Sequence, residues 1–202
     1  MSALSGLTPT VLEARPPFPA NRVGVRHASA QTGIAVEEYG QGALRQTVIR
    51  FTNVAVTMTR TSANINTATA NLYTIGAASV AAGGVRFKVD GVVTNLTLST
   101  TQATDASMVS SVGTAAAATD NATLTGTEAD LIASATTAVA SSAATMNRVG
   151  AAAQVNAALF DATGGAVSIF LNFASATDLT TGHTLTLNGT VTLTWHVQGP
   201  VL

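Results

Sequence analysis

Residues 184–197 read TLTLNGTVTLTWHV. Leu185, Leu187, Val191, Leu193, Trp195 and Val197 fall on one parity, while Thr184, Thr186, Asn188, Thr190, Thr192, Thr194 and His196 fall on the other. Side chains of a β-strand alternate between two faces, so this pattern buries one face and hydrates the other without using charge. Asn188-Gly189 is a pair that favours a two-residue hairpin turn. The parity nevertheless runs through it unbroken, and a one-residue slip would have flipped every later side chain. The segment therefore reads as one long, bent strand.

The same period extends upstream. Residues 45–59 (RQTVIRFTNVAVTMT) place Ile49 and Phe51 on one parity and Val54, Val56 and Met58 on the other, and a parity change at Asn53 inside a strand-like run marks a β-bulge or a turn. Val85, Phe87 and Val89 alternate with Arg86, Lys88 and Asp90, then Val92, Thr94, Leu96 and Leu98 continue on the opposite parity. Asp90-Gly91 between two alternating runs predicts a hairpin. Val167, Ile169, Leu171 and Phe173 form another apolar stripe. No proline lies between Pro19 and Pro200, so turns rely on Gly, Asn and Asp, as hairpins do. Strands at short spacing without alternating helices predict an all-β fold, an antiparallel β-sandwich or jelly-roll-like domain. Residues 100–150 are richest in Ala, Ser and Thr. There Thr125-Gly126-Thr127-Glu128 has capping-box spacing and predicts a short helix, while Ser and Thr from 134 to 145 favour loops or exposed strands.

Composition bears on what surrounds this fold. The 202 residues include 38 Ala and 33 Thr, with 9% charged residues, no cysteine and a net charge of -1. Soluble domains average about 25% charged residues. A chain this poor in charge lacks the ion-rich surface that disperses a free monomer, which implies a surface covered by other protein. Basic groups are concentrated in residues 1–90 and acidic groups in 91–202, but singly and without interleaved aromatics, so no nucleic-acid partner is expected. No run of 18 apolar residues exists, so no membrane helix is expected, and the start lacks the basic region of a secretory signal. Four of the five prolines (Pro9, Pro16, Pro17, Pro19) lie near the start. They set residues 1–40 apart as an extended N-terminal arm preceding a β-sandwich domain at 41–202.

Reactive constellations are not found. His27, His183 and His196 show no ligand spacing, so no metal site is expected. Glu37-Glu38 are neighbours on a strand and point to opposite faces, which suits arginine partners rather than shared acid/base work. Gly83-Gly84 and Gly164-Gly165 lack the pattern of a phosphate loop and read as turns. Trp195 and Phe173 share the parity of aliphatic residues, which makes them core rather than sugar-stacking platforms. The expectation is a non-enzymatic chain with no cofactor.

Three stretches carry a resemblance: Val36-Glu37-Glu38-Tyr39-Gly40 leading into the Thr47–Met58 strand, SVGTAAAATDNATLTGTEADLI from Ser111 to Ile132, and LNGTVTLTW from Leu187 to Trp195. Together they resemble head decoration, or cement, proteins of tailed bacteriophages, over roughly residues 36–197. The resemblance implies a β-rich protein that assembles on the exterior of an icosahedral capsid as a symmetric oligomer and bridges major capsid protein subunits. Pseudo-threefold capsid sites favour a trimer over a dimer. In such a role the arm would supply the contacts: Phe18 as an apolar anchor, and Arg15, Arg22 and Arg26 as partners for capsid carboxylates. The alternative is a receptor- or carbohydrate-binding β-protein of a virion fibre or tail, which would need an exposed aromatic platform.

Overall fold

The computed structural model describes residues 25–27, 32–40, 44–60, 66–75, 86–100, 108–118, 122–138, 144–151, 160–161, 167–175 and 184–197. These form twelve strands: β1 (Val25–His27), β2 (Ile34–Tyr39), β3 (Leu44–Thr57), β4 (Thr59–Arg60), β5 (Asn66–Ile75), β6 (Arg86–Thr100), β7 (Val109–Gly113), β8 (Ile132–Thr136), β9 (Ala144–Ala151), β10 (Phe160–Asp161), β11 (Val167–Ser175) and β12 (Thr184–Val197). A single 3-10 turn, Gly126–Glu128, is the one helical element among the described residues. No helix among them is long and apolar enough to cross a membrane.

The strands make two antiparallel sheets. One runs β1-β2-β3-β12-β6-β10 with β9 also on β6, and the other runs β4-β5-β11-β7-β8. Every pairing is antiparallel, so the protein is an all-β sandwich. The first sheet begins inside the segment that its prolines set apart. β1 and β2 are strands of that sheet, and Val36 of β2 lies in the core.

β12 is the long strand its parity predicts. It pairs with β3 on one side and β6 on the other, and Leu185, Leu187, Val191, Leu193 and Trp195 all face inward and are buried. Inner-face neighbours line up across three strands, as in Val54–Leu187–Leu98 and Ile49–Val191–Thr94. Leu171, Phe173 and Ile169 of β11 close the core from the second sheet. Trp195 is fully buried, and its indole nitrogen donates to Thr47 Oγ1 at 2.9 Å, so the ring's polar atom is satisfied in the interior.

Both neighbours of β12 carry an extra residue. Leu187 pairs with Val54 and Gly189 with Phe51, which leaves Thr52 and Asn53 opposite Asn188 alone. Of the bulge and the turn that the parity change allows, the bulge forms. Asn53 adopts φ 50°, and its N–H is received by Asn188 Oδ1 at 2.8 Å. On the other side Thr194 pairs with Gly91 and Trp195 with Val89, so Asp90 is the extra residue. The hairpin expected at Asp90-Gly91 is not formed; β6 continues from Arg86 to Thr100. A hairpin and a bulge both shift parity at a Gly-containing step, and here the unbroken partner strand β12 selects the bulge.

Gly189 sits where the bulge of β3 faces β6. Its φ is +123°, and a Cβ there would lie 2.2 Å from the backbone oxygen of Asn95. Gly189→Ala is therefore expected to destabilise the sandwich by about 2 kcal/mol or more, through backbone strain and the forced separation of β12 from β6. Denaturant unfolding checks this, and an unchanged midpoint would show that the strands part without cost.

Candidate functional site

The two outer faces of the sandwich differ. On the second sheet, Thr69 of β5, Asn172 of β11 and Ser111 of β7 stand in one cross-strand row. This row faces away from the core but is covered by residues 114–118 and 122–131, and Asn172 and Ser111 are fully buried. Asn172 holds the covering segment with both ends of its amide. Nδ2 donates to the carbonyls of Ala115 (2.9 Å) and Glu128 (2.8 Å), while Oδ1 accepts from Ala117 N (3.0 Å) and Thr69 Oγ1 (3.0 Å).

Other polar groups fasten the same strap. Glu128, itself buried, accepts from Ala118 N through Oε1 at 2.6 Å and from Thr125 N through Oε2 at 3.2 Å. The latter is one half of the capping box foreseen at Thr125, and the helix foreseen there is a three-residue 3-10 turn. Asp130 takes the N–H and hydroxyl of Thr114 at 2.9 and 2.7 Å. Gly113 permits the close approach, because a Cβ there would meet Thr127 O at 2.3 Å. Buried amides and carbonyls need partners of this kind, and here side chains supply them.

On the outer face of the seven-stranded sheet part of the described surface is exposed, while Val48 is buried. Thr52, Asn53, Ala55 and Thr57 of β3 and Val93, Asn95 and Thr97 of β6 are exposed, and the threonines of β12 between them are half-buried. From the Thr57–Thr184 pair to the row Asn188–Thr97 the described side chains are uncharged. Charge lies toward the other end, where it is matched within the chain. Arg50 Nε is 3.7 Å from Glu37 Oε2, to which Tyr39 also donates its hydroxyl. Asp90 lies 2.6 Å from His196 Nδ1 and 3.8 Å from Lys88 Nζ. Such partly exposed pairs stabilise by at most about 1 kcal/mol each, so they set local charge balance more than fold stability.

Glu37 and Glu38 do point to opposite faces. Glu38 shares the buried side with Val36, with Arg45 at 3.8 Å. Of the arm residues named from sequence, Arg15, Phe18 and Arg22 lie outside the described residues. Arg26 falls in β1, in register with Glu37 across the β1–β2 pair, so it stands opposite an acid of its own chain. His27 is in β1 and His196 is the histidine of the Asp90 cluster; His183 lies outside the described residues. Among the described residues no group of His, Cys, Asp and Glu is arranged to hold a metal ion.

Sequence reasoning missed Asn172. It sits on the polar parity of β11 and looks solvated from its own neighbours; its partners come from residues 44 to 103 positions away. Asn172→Ala would remove the Asn172 donor from the Ala115 carbonyl and leave the Glu128 carbonyl with Ser111 Oγ, which donates to it at 2.7 Å, at an expected cost of about 2 kcal/mol. Hydrogen exchange should then accelerate in residues 114–131 first, and unchanged protection there would show that the strap is held by other contacts. Comparison of the chain with protein-family models, with characterised proteins and with solved structures gives no match.

Proposed function

We propose that this chain is a non-enzymatic virion structural protein of the decoration, or cement, type, which binds the exterior of a capsid and stabilises it by bridging major capsid protein subunits. The observation that carries this reading is the open, uncharged face of the seven-stranded sheet, in a chain with only 9% charged residues. Hydroxyls and amides on long paired strands make a stiff surface suited to contact with other protein. Glu37 and Glu38 lie beside arginines, and His196 lies beside Asp90, which is compatible with this reading.

The three stretches that carry the resemblance occupy connected parts of the sandwich. Val36–Tyr39 lies in β2 and Thr47–Thr57 in β3, Leu187–Trp195 lies in β12 beside β3, and the described residues between Ser111 and Ile132 include the end of β7, the strap and the start of β8. β1 (Val25–His27) is the terminal strand of the first sheet, and in this reading Arg15, Phe18 and Arg22, which lie outside the described residues, supply the contacts with capsid subunits. Many copies, each binding across assembled subunits but not separated ones, stabilise the assembly by linkage. An exposed aromatic platform for a receptor or glycan is not formed by Trp195 or Phe173, since both are in the core.

Removing residues 1–24 tests the mechanism. With the sandwich still folded by circular dichroism, occupancy of purified capsids at sub-saturating concentration should fall at least tenfold, the effect of losing about 1.4 kcal/mol of binding. Unchanged occupancy would remove the arm from the mechanism. Failure of the full chain to bind capsids at all would overturn the reading itself.

A further inference from the structure

We infer that Asn188 is a deamidation site which the sandwich holds closed, so that its conversion marks molecules in which β12 has left the sheet, and one of its two products bars their return. Alone among the asparagines of the sequence, Asn188 is followed by glycine. Glycine has no side chain to screen its backbone nitrogen, and that nitrogen is the nucleophile in this reaction. Gly189 N attacks Asn188 Cγ; the Cγ–Nδ2 bond breaks, and ammonia departs with the proton that Gly189 N gave up. Water then opens the five-membered imide, at Cγ to give aspartate or at the Asn188 backbone carbonyl to give isoaspartate. Water is the only co-reactant.

Geometry withholds this step in the folded chain. Ring closure needs Gly189 N brought against Asn188 Cγ by rotation about the Asn188 Cα–C bond, which takes the residue out of extended backbone. Asn188 is a strand residue in register with Thr97, and the next residue, Gly189, is in register with both Leu96 and Phe51. A Cβ at Gly189 would lie 2.2 Å from the backbone oxygen of Asn95, so the Asn188–Gly189 peptide has no room to swing. The carboxamide is tied as well, since Asn188 Oδ1 accepts the Asn53 N–H at 2.8 Å and so holds Cγ toward β3. Water is not the missing reagent, because Asn188 is only half-buried. The restraint is conformational, and it lifts when β12 separates from its neighbours.

The two products differ in what they do to β12. Aspartate leaves the main chain unchanged, and its carboxylate still accepts the Asn53 N–H. Isoaspartate routes the main chain through Cβ and Cγ, which adds one carbon between Leu187 and Gly189. Along β6 the register is regular from Leu185–Thr100 to Thr194–Gly91, so the added length displaces Val191, Leu193 and Trp195 from their places. Opening becomes irreversible in those molecules, as it does wherever an unfolded chain is chemically modified before it refolds.

The purified full chain is sufficient for the test, which leaves the capsid reading aside. It is held in mildly alkaline buffer, folded in one arm and unfolded by guanidinium chloride in the other. Residue 188 is followed by peptide mass spectrometry, with fragmentation that separates isoaspartate from aspartate. Unfolded chain should convert Asn188 ahead of its other asparagines, and folded chain should convert it at least about a hundredfold more slowly, because only opened molecules react. Molecules of the folded arm that still elute as the native species should carry no isoaspartate at 188. Asn188→Asp, made directly, should fold and melt close to the parent. Equal rates in the two arms, isoaspartate at 188 in the native species, or failure of Asn188→Asp to fold would each overturn the inference.

Discussion

The sandwich depends on one constraint: β12 is hydrogen-bonded to a strand on each side along almost its whole length while keeping its apolar side chains on a single parity. A strand fixed on both edges cannot slip by one residue without turning Leu185, Leu187, Val191, Leu193 and Trp195 out of the core. Any mismatch in length must therefore be taken up by its neighbours. β3 takes it at Thr52-Asn53 and β6 at Asp90, so that Val54, Val56 and Met58 on one side and Val92, Leu96 and Leu98 on the other regain the inner face. The Asn188 side chain receives the Asn53 N–H that the β3 bulge withdraws from the ladder.

From that centre the two exteriors diverge. The second sheet is closed by its own strap, in which Asn172, Glu128 and Asp130 satisfy backbone groups that the covering residues would otherwise leave without partners. The first sheet presents exposed threonine and asparagine among its described residues. Threonine serves two ends there: its branched side chain suits the pleated surface, and its hydroxyl hydrates that surface without charge. On this face hydroxyls and amides stand where most surfaces carry ions, in keeping with the low charge of the composition.

The sequence displayed β12 plainly, since an uninterrupted parity over fourteen residues has few other meanings. Asn53 was legible for the same reason, because a bulge leaves its mark as a change of parity. Asp90-Gly91 misled, as a local pattern does not contain the partner strand that distinguishes a bulge from a turn. Asn172 was illegible: its burial is created by a segment that returns over β11 from far along the chain, and nothing in VSIFLNFAS announces it. Charge pairing was half-visible. The opposed directions of Glu37 and Glu38 follow from strand geometry alone, whereas the identity of their arginine partners required the registers of β2 and β3.

Native-state hydrogen exchange, read residue by residue, tests the primacy of β12 most directly. Strands bonded on both edges and packed in the core open only with the whole domain, while edge strands open in smaller steps. The β12 amides from Leu185 to Trp195 that bond to β3 or β6 should exchange at the rate of global unfolding and respond to denaturant with its full slope, with β1 and β8 exchanging earlier. Exchange of those β12 amides by a smaller opening, while β5 and β11 stayed protected, would contradict the account.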